Sequence, residues 1–302
     1  MRFGSTACAL FLIACGSDPG PRDAAAPADA AAGEDGGAPV STEPTLPEVT
    51  GACPTFEGDT ITVAPEGVSP RDARLWISDA SVDLDGPLVF YWHGTGSAPA
   101  EAEYGLGAET IEAILALGGM VVAPEASGEA GTFPWFLTTG SRDDDLRVAD
   151  EVLACAIERV GIDTTHVHSI GMSAGGLHTT QMGFRRASYV ASVVTYSGGI
   201  YVGRPRTDDP NNRFAALIFH GGPDDVVVIE FQDASEEYFR YLRDRGHFAA
   251  ICDHGLGHRI PTDARESVWR FFSKHPYGSV PSPWADGLPE GFYAPCELAI
   301  DG

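Results

Sequence analysis

The sequence predicts a single α/β domain, with a mostly parallel central sheet and helices on both faces. Three observations point to it. Short, continuously apolar segments such as PLVFYW (Pro87–Trp92) and MVVAP (Met120–Pro124) lack polar alternation, as strands buried on both faces do. Segments with apolar residues at helical spacing, such as DLRVADEVLACAIERV (Asp145–Val160), fall between them. The two kinds alternate from about Cys53 onward, and such alternation builds parallel sheets covered by helices. The chain has 302 residues and 43% apolar content, enough for one large core, and shows no internal repeat or second boundary.

In chain order, Thr60–Ala64 and Arg74–Ile77 read as two short early strands and Pro87–Trp92 as a buried one. Gly107–Leu117 follows as a helix, Met120–Pro124 as a strand, and Asp145–Val160 as a helix with acidic residues near its start. Thr165–Ile170 is a strand that runs into GMSAG, and Leu177–Arg186 is the helix after it. Strands Ala191–Tyr196 and Ala215–Phe219, helix Phe231–Arg245, strand Phe248–Cys252 and helix Ala264–Ser273 complete the series.

Ahead of the domain lies MRFGSTACALFLIACGSD. Its apolar run is too short to span a bilayer and suits the core of a signal peptide. Leu12-Ile13-Ala14-Cys15 resembles a bacterial lipobox, which implies cleavage before Cys15 and lipidation of its thiol. Residues 16–50 are rich in Ala, Pro, Gly and Asp and contain no aromatic residue, so they are expected to form a disordered tether. The expected organisation is a signal peptide over 1–15, a tether over 16–50 and a catalytic domain over 51–302. It implies export, with lipid anchoring at the outer membrane or cell surface and release into the medium as the alternative.

The formal charge is −24, so no basic surface is available to follow a phosphate backbone and nucleic acid is not an expected partner. Membrane contact is expected only through the lipid, and the domain is expected to be a monomer. Cys53, Cys155, Cys252 and Cys296 remain after the signal region. An even number in an exported domain implies two disulfides, with three pairings open. The spacing has no zinc pattern, and His166 and His168 share a strand face without a third ligand, so neither metal nor cofactor is expected.

G-x-S-x-G at Gly171–Gly175 is common by chance, but here it falls between a buried strand and a helix. In that position it makes a sharp turn that exposes the Ser173 hydroxyl at the carboxyl edge of the sheet, beside a helix N-terminus. A nucleophilic serine needs a base and the base an orienting acid, in the chain order Ser, Asp, His for this topology. HGGPDDVV (His220–Val227) offers Asp224 and Asp225, and DHGLGHRIP (Asp253–Pro261) offers His254 and His258.

With HGTG at His93–Gly96, GMSAGG at Gly171–Gly176, H-G-x-x-D-x-x-V at His220–Val227 and HGLGHRIP at His254–Pro261, the chain resembles the α/β-hydrolases. More narrowly it is similar to secreted polyhydroxybutyrate-depolymerase-like and feruloyl-esterase-like serine esterases, from about Cys53 to His275. The resemblance implies Ser173, Asp224 and His258 as the triad and the backbone N–H groups of Thr95 and Ala174 as the oxyanion hole. Asp225 is then a solvated loop residue, His254 is structural, and His220 shapes the acid loop. The tail from Pro276 to Gly302 lies outside the resemblance.

Phe133, Trp135 and Phe136, in the loop GTFPWFLTTGSRDD, are candidate walls of an acyl site or, equally, cover for the core. The Gly198–Arg213 connection is too short and polar for a helical lid. The expected activity is hydrolysis of carboxylic esters with short-chain, aromatic or polymeric acyl groups, through an acyl-enzyme. A peptidase or acyltransferase of the same fold and a catalytically silent polymer-binding lipoprotein are the alternatives.

Overall fold

A computed structural model describes residues 40–137, 142–201, 203 and 205–300. The signal segment, Cys15 and most of the tether lie outside them. The first strands are β1 (Thr60–Val63), β2 (Arg71–Trp76), β3 (Leu88–Trp92) and β4 (Met120–Pro124), with helices α1 (Glu101–Leu106) and α2 (Ala108–Ala116) between the last two. Helix α3 (Asp144–Arg159) leads to β5 (Val167–Met172), α4 (Ala174–Arg185) and β6 (Ser192–Tyr196). Then come β7 (Ala215–His220), the small strands β8 (Val226–Val227) and β9 (Ile229–Glu230), α5 (Phe231–Arg243), β10 (Ala249–Asp253), α6 (Arg265–Lys274) and β11 (Cys296–Glu297).

The main sheet has nine strands in the order β1-β2-β4-β3-β5-β6-β7-β10-β11. Pairing is parallel from β4 through β10 and antiparallel at both edges. From β3 the chain steps outward to β4 and then returns to the other side as β5. Ligands of open α/β sheets bind at such a reversal, beyond the carboxyl ends of the strands.

Side chains alternate across the sheet and divide the core in two. Leu88, Phe90 and Trp92 face a cluster shared with α3, α4 and α5, including Val152, Met182 and Tyr238. Val89 and Tyr91 face a second cluster with α1, α2 and α6, including Leu106, Ile114 and Phe271. The acidic first turn of α3 and its terminal Arg159 both suit the helix dipole.

One segment departs from the sequence expectation, and another gains a role the sequence did not supply. Part of the stretch assigned to the tether lies against the domain: the Ser41 N–H donates to the Asn211 carbonyl (3.2 Å), the Thr45 N–H to Ser188 (2.7 Å) and the Thr50 hydroxyl to Glu151 (2.6 Å). The unmatched tail is also part of the fold. Its β11 extends the sheet beside β10, and Trp284 and Phe292 enter the second core cluster. The disulfides are Cys53–Cys155 and Cys252–Cys296, which selects one of the three open pairings.

Buried histidines give the fold a defined acid sensitivity. Burial pushes His178 down to about 3 and His247 and His275 down to about 4, and holds His168 well below the ordinary histidine range. In the unfolded chain each accepts a proton below about pH 6.5. The unfolded state therefore binds more protons, and each group removes about 1.4 kcal/mol of stability per pH unit below that point. Burial raises Asp145 and Asp150, which works in the opposite direction. Four histidines against two carboxylates predict a melting temperature that falls between pH 7 and pH 5. Scanning calorimetry across that range checks it, and a flat or rising melting temperature contradicts it.

Candidate active site

The register of β3 against β5 builds the site. Trp92 lies opposite Gly171, so the chain leaving β3 passes beside the chain leaving β5. A Cβ placed on Gly175 would run into the carbonyl oxygen of Trp92, and one on Gly171 would meet the Gly175 and Trp92 carbonyls. Only glycine lets the start of α4 sit this close to β3. The resulting turn forces Ser173 to φ 57°, ψ −118°, a left-handed conformation that costs a residue with a side chain roughly 1–3 kcal/mol. Two hydrogen bonds hold it, from the Ser173 N–H to the Tyr196 carbonyl (2.8 Å) and from the Leu177 N–H to the Ser173 carbonyl (2.9 Å).

The turn presents the hydroxyl to His258, whose Nε2 lies 3.0 Å from Ser173 Oγ. His258 Nδ1 lies 2.7 Å from Asp225 Oδ1. The second carboxylate oxygen, Oδ2, accepts hydrogen bonds from the Ser197 hydroxyl (2.8 Å) and the Gly221 N–H (2.9 Å). Burial alone would raise this carboxyl; the bonds from His258, Gly221 and Ser197 outweigh it and hold Asp225 below the ordinary carboxylate range. The charged carboxylate fixes the tautomer of His258 with the proton on Nδ1, leaving Nε2 free to accept the Ser173 proton. Phe231 stacks on the imidazole at 4.7 Å between ring centroids.

Asp225, rather than the expected Asp224, faces His258. After β7 the chain turns through Gly222 at φ 76° into one short 3₁₀ turn, closed by a bond from the Asp225 N–H to the Gly222 carbonyl (3.0 Å). The turn leaves Asp224 exposed on its outer side and points Asp225 inward, 0% exposed. The acid loop and the histidine loop are joined directly. The Gly257 N–H donates to the Gly221 carbonyl (3.0 Å), at a separation where a Cβ on Gly221 would strike the Gly257 carbonyl. His254 belongs to the loop's own structure, its N–H bonded to the His220 carbonyl (3.0 Å) and its Nδ1 accepting the Leu256 N–H (3.2 Å). His220 Nδ1 accepts the Gly222 N–H (3.2 Å) and so supports the acid loop.

Of the expected oxyanion donors, Ala174 directly follows the serine, and Thr95 follows Gly94, which lies close to the Ser173 side chain. Ala174 is the first residue of α4, where N–H groups have no partner within the helix. The HGTG segment forms a turn closed by the Ser97 N–H and the Gly94 carbonyl (3.1 Å), with Gly96 at φ 79°. The Gly94 N–H is tied to Glu101 Oε1 (3.1 Å), which also accepts the Tyr91 hydroxyl (3.2 Å).

The three aromatic candidates separate. Trp135 is 0% exposed and packs edge-on against Trp92, with ring centroids 5.0 Å apart. Its Nε1 donates to the His93 carbonyl (2.9 Å), so it braces the HGTG turn from below instead of lining a substrate wall. Its depth follows from that buried bond, for which an indole has both the donor and the apolar body. Phe136 lies under the Arg142 guanidinium, 4.4 Å from the ring centre. Phe133 lines a groove with Leu137, Leu177 and Ile200. Sequence reasoning passed over Ser197, Glu101 and Phe231, which lie in segments with no motif. Among the described residues, no group of three or more His, Cys, Asp or Glu is arranged to hold a metal ion.

A mostly parallel sheet with a sharp serine turn after β5, an aspartate after β7 and a histidine after β10 is the α/β-hydrolase fold. Solved structures agree at the level of the fold. The chain is similar to native pOPH (TM-score 0.64, 15% identity, 82% of this chain and 95% of that one) and to native sOPH (0.62, 17%, 82% and 96%). It is also similar to a ferulic acid esterase (0.54, 18%, 70% and 96%). No protein-family model matches the chain, and no curated protein matches it.

The geometry predicts which aspartate matters. Asp225→Asn should slow labelling of Ser173 by a fluorophosphonate by two to four orders of magnitude, because the amide favours the wrong imidazole tautomer, whereas Asp224→Asn should leave the rate within about threefold. Labelling rates followed by intact-protein mass spectrometry check this. An Asp224 variant slower than the Asp225 variant overturns the assignment.

Proposed function

We propose that this chain is an exported serine hydrolase of carboxylic esters. The observation that supports it most is the line of hydrogen bonds from Asp225 through His258 to Ser173 Oγ. Ser173 Oγ attacks the ester carbonyl carbon while its proton passes to His258 Nε2. The carbonyl oxygen, now an anion, is received by the N–H groups of Ala174 and Thr95. As the tetrahedral adduct collapses, the ester C–O bond breaks and the alcohol leaves with the proton from Nε2, so that the acyl group remains on Oγ. Water then attacks the acyl carbon, giving a proton to Nε2. The second adduct releases the acid and returns the proton to Ser173. Asp225 stays ionised throughout and stabilises the imidazolium formed in each half.

The esterase neighbours among the solved structures favour an ester over other acyl donors. The short Gly198–Arg213 connection favours soluble short-chain or aromatic esters over long-chain ones. Ser173→Ala should abolish fluorophosphonate labelling and reduce kcat on p-nitrophenyl butyrate by about 10⁵-fold or more, since triad members act as a unit. The wild type should prefer the butyrate to the palmitate in kcat/KM. Persistent labelling in the variant, or a preference for palmitate, contradicts this reading.

Export and anchoring complete the proposal. Two disulfides suit an oxidising compartment, and the lipobox-like segment ends at Cys15. Cys15→Ser should move the protein from the membrane pellet to a soluble fraction or block its processing. Unchanged partitioning into detergent would remove the lipid anchor from the reading.

A further inference from the structure

Between Asp225 and Phe231 the chain turns out into solvent and comes back to where it left. Val226 pairs with Glu230 and Val227 with Ile229, so Val228 alone forms the tip of a hairpin. The next rung of the ladder is the Phe231 N–H bonded to the Asp225 carbonyl (3.0 Å). Val228 has φ 65°, a left-handed conformation that a β-branched residue adopts only under constraint. Its own packing supplies no such constraint, since it is 91% exposed and Val226 and Val227 are half exposed. The hairpin is therefore held from its two ends.

Those ends are Asp225 and Phe231. Phe231 is the first residue of α5 and is buried. Its ring lies against the His258 imidazole, with centroids 4.7 Å apart and the planes 28° from parallel. It also belongs to a small apolar cluster with Leu177, Ile229 and Ala234, and the Leu177 N–H bonds the Ser173 carbonyl. One residue thus has its backbone on the acid, its ring on the base and its apolar neighbours in the helix that follows the serine. The bond between His258 Nδ1 and Asp225 fixes one edge of the imidazole but leaves the ring free to tilt about that line. A flat side chain against the ring face removes the tilt. An aromatic face does one thing more than an aliphatic one: its electron-rich surface attracts the positive charge that the imidazole acquires with the serine proton.

We propose that Phe231 is a positioning residue for the acyl transfer: its ring sets the plane of His258 and faces the imidazolium charge, and the strained hairpin through Val228 returns it to Asp225. The proposal rests on the reading of Ser173 and His258 as nucleophile and base.

Phe231→Leu keeps an apolar side chain and loses the aromatic face, whereas Phe231→Tyr keeps the face. On p-nitrophenyl butyrate, Phe231→Leu should lower kcat roughly threefold to thirtyfold, the range of a single cation–π contact, with KM within about twofold, and Phe231→Tyr should recover most of the loss. Val228 gives a second route that leaves Phe231 and the core untouched. Proline cannot adopt φ 65°, so Val228→Pro should open the hairpin and lower kcat in the same way. The His258 Nδ1 proton, shared with Asp225, is read by proton NMR without turnover and is identified by its loss in Asp225→Asn. Its resonance should be broadened in Phe231→Leu and Val228→Pro and stay sharp in Phe231→Tyr and in Val228→Gly, since glycine adopts this φ freely. An unchanged kcat and resonance in Phe231→Leu, or a folded Phe231→Tyr protein no better than Phe231→Leu, overturns the proposal. If Phe231→Leu fails to fold, a Val228→Pro protein with wild-type kcat and a sharp resonance overturns it instead. A wild type that turns over no ester, with a His258 resonance that still responds to these variants, would count against Ser173 as nucleophile but for the positioning; brisk turnover that none of them alters would count against Phe231 alone.

Discussion

Everything at this site depends on how closely the backbone of α4 approaches β3. The first turn of the helix lies so near Trp92 that neither Gly171 nor Gly175 has room for a side chain. That approach bends the chain at Ser173 into a conformation it would not adopt alone. Parallel pairing with β6 supplies the Tyr196 carbonyl that receives the Ser173 N–H. The strain is small beside the packing that enforces it, since β3, β5 and β6 are buried along their whole length. The same approach sets the HGTG turn beside the serine, with Gly94 close enough that a Cβ there would touch Ser173. Ser173 and the HGTG turn are therefore placed by one piece of geometry.

Asp225 and His258 are brought together by a second close contact, between the loops after β7 and β10. These strands are paired in register up to His220 and Asp253, and the pairing continues into the loops through Gly221 and Gly257. A sheet edge extended in this way limits how far His258 can move relative to Asp225. The carboxylate is held from three sides, by His258, Ser197 and Gly221, which explains why it remains charged although fully buried. Ser197, the first residue beyond β6, has φ 47° and makes the third contact of the carboxylate from the strand between the nucleophile and the acid.

Much of this was legible from residue patterns. Continuous apolar runs marked the buried strands because nothing else packs on both faces of a sheet. The strand–turn–helix setting of GMSAG marked Ser173, and the loop after the last parallel strand marked His258. The aspartate was not legible, because GGPDD contains two adjacent candidates whose directions depend on a single extra turn at Gly222. A motif register counts residues, whereas the 3₁₀ turn decides which carboxylate points inward. Trp135 was left between two readings, substrate wall and core cover, for a related reason. An aromatic residue in an irregular loop carries no periodicity, so its burial against Trp92 and its bond to His93 leave no trace in the spacing. The role of the tail stayed open, although it was counted within the domain, because its contribution is one short strand and two isolated aromatics.

The tail matters to the site through the strand it joins. Cys252 is the penultimate residue of β10, directly before the loop that carries His258, and it is bonded to Cys296 in β11. The edge that positions the base is thereby covered by a strand that is both hydrogen-bonded and covalently attached. An exposed, unpaired edge next to a catalytic loop would fray and would offer itself to other chains. At the other end of the domain, Cys53–Cys155 fixes the leading segment to α3, where Glu151 also gathers the backbone of Thr50 and Gly51. Both cross-links tie segments near the two ends of the domain to its interior, Cys53 to α3 and Cys296 to β10. The links therefore fasten the first and last described segments to the same sheet and helix layer that carries Ser173, Asp225 and His258.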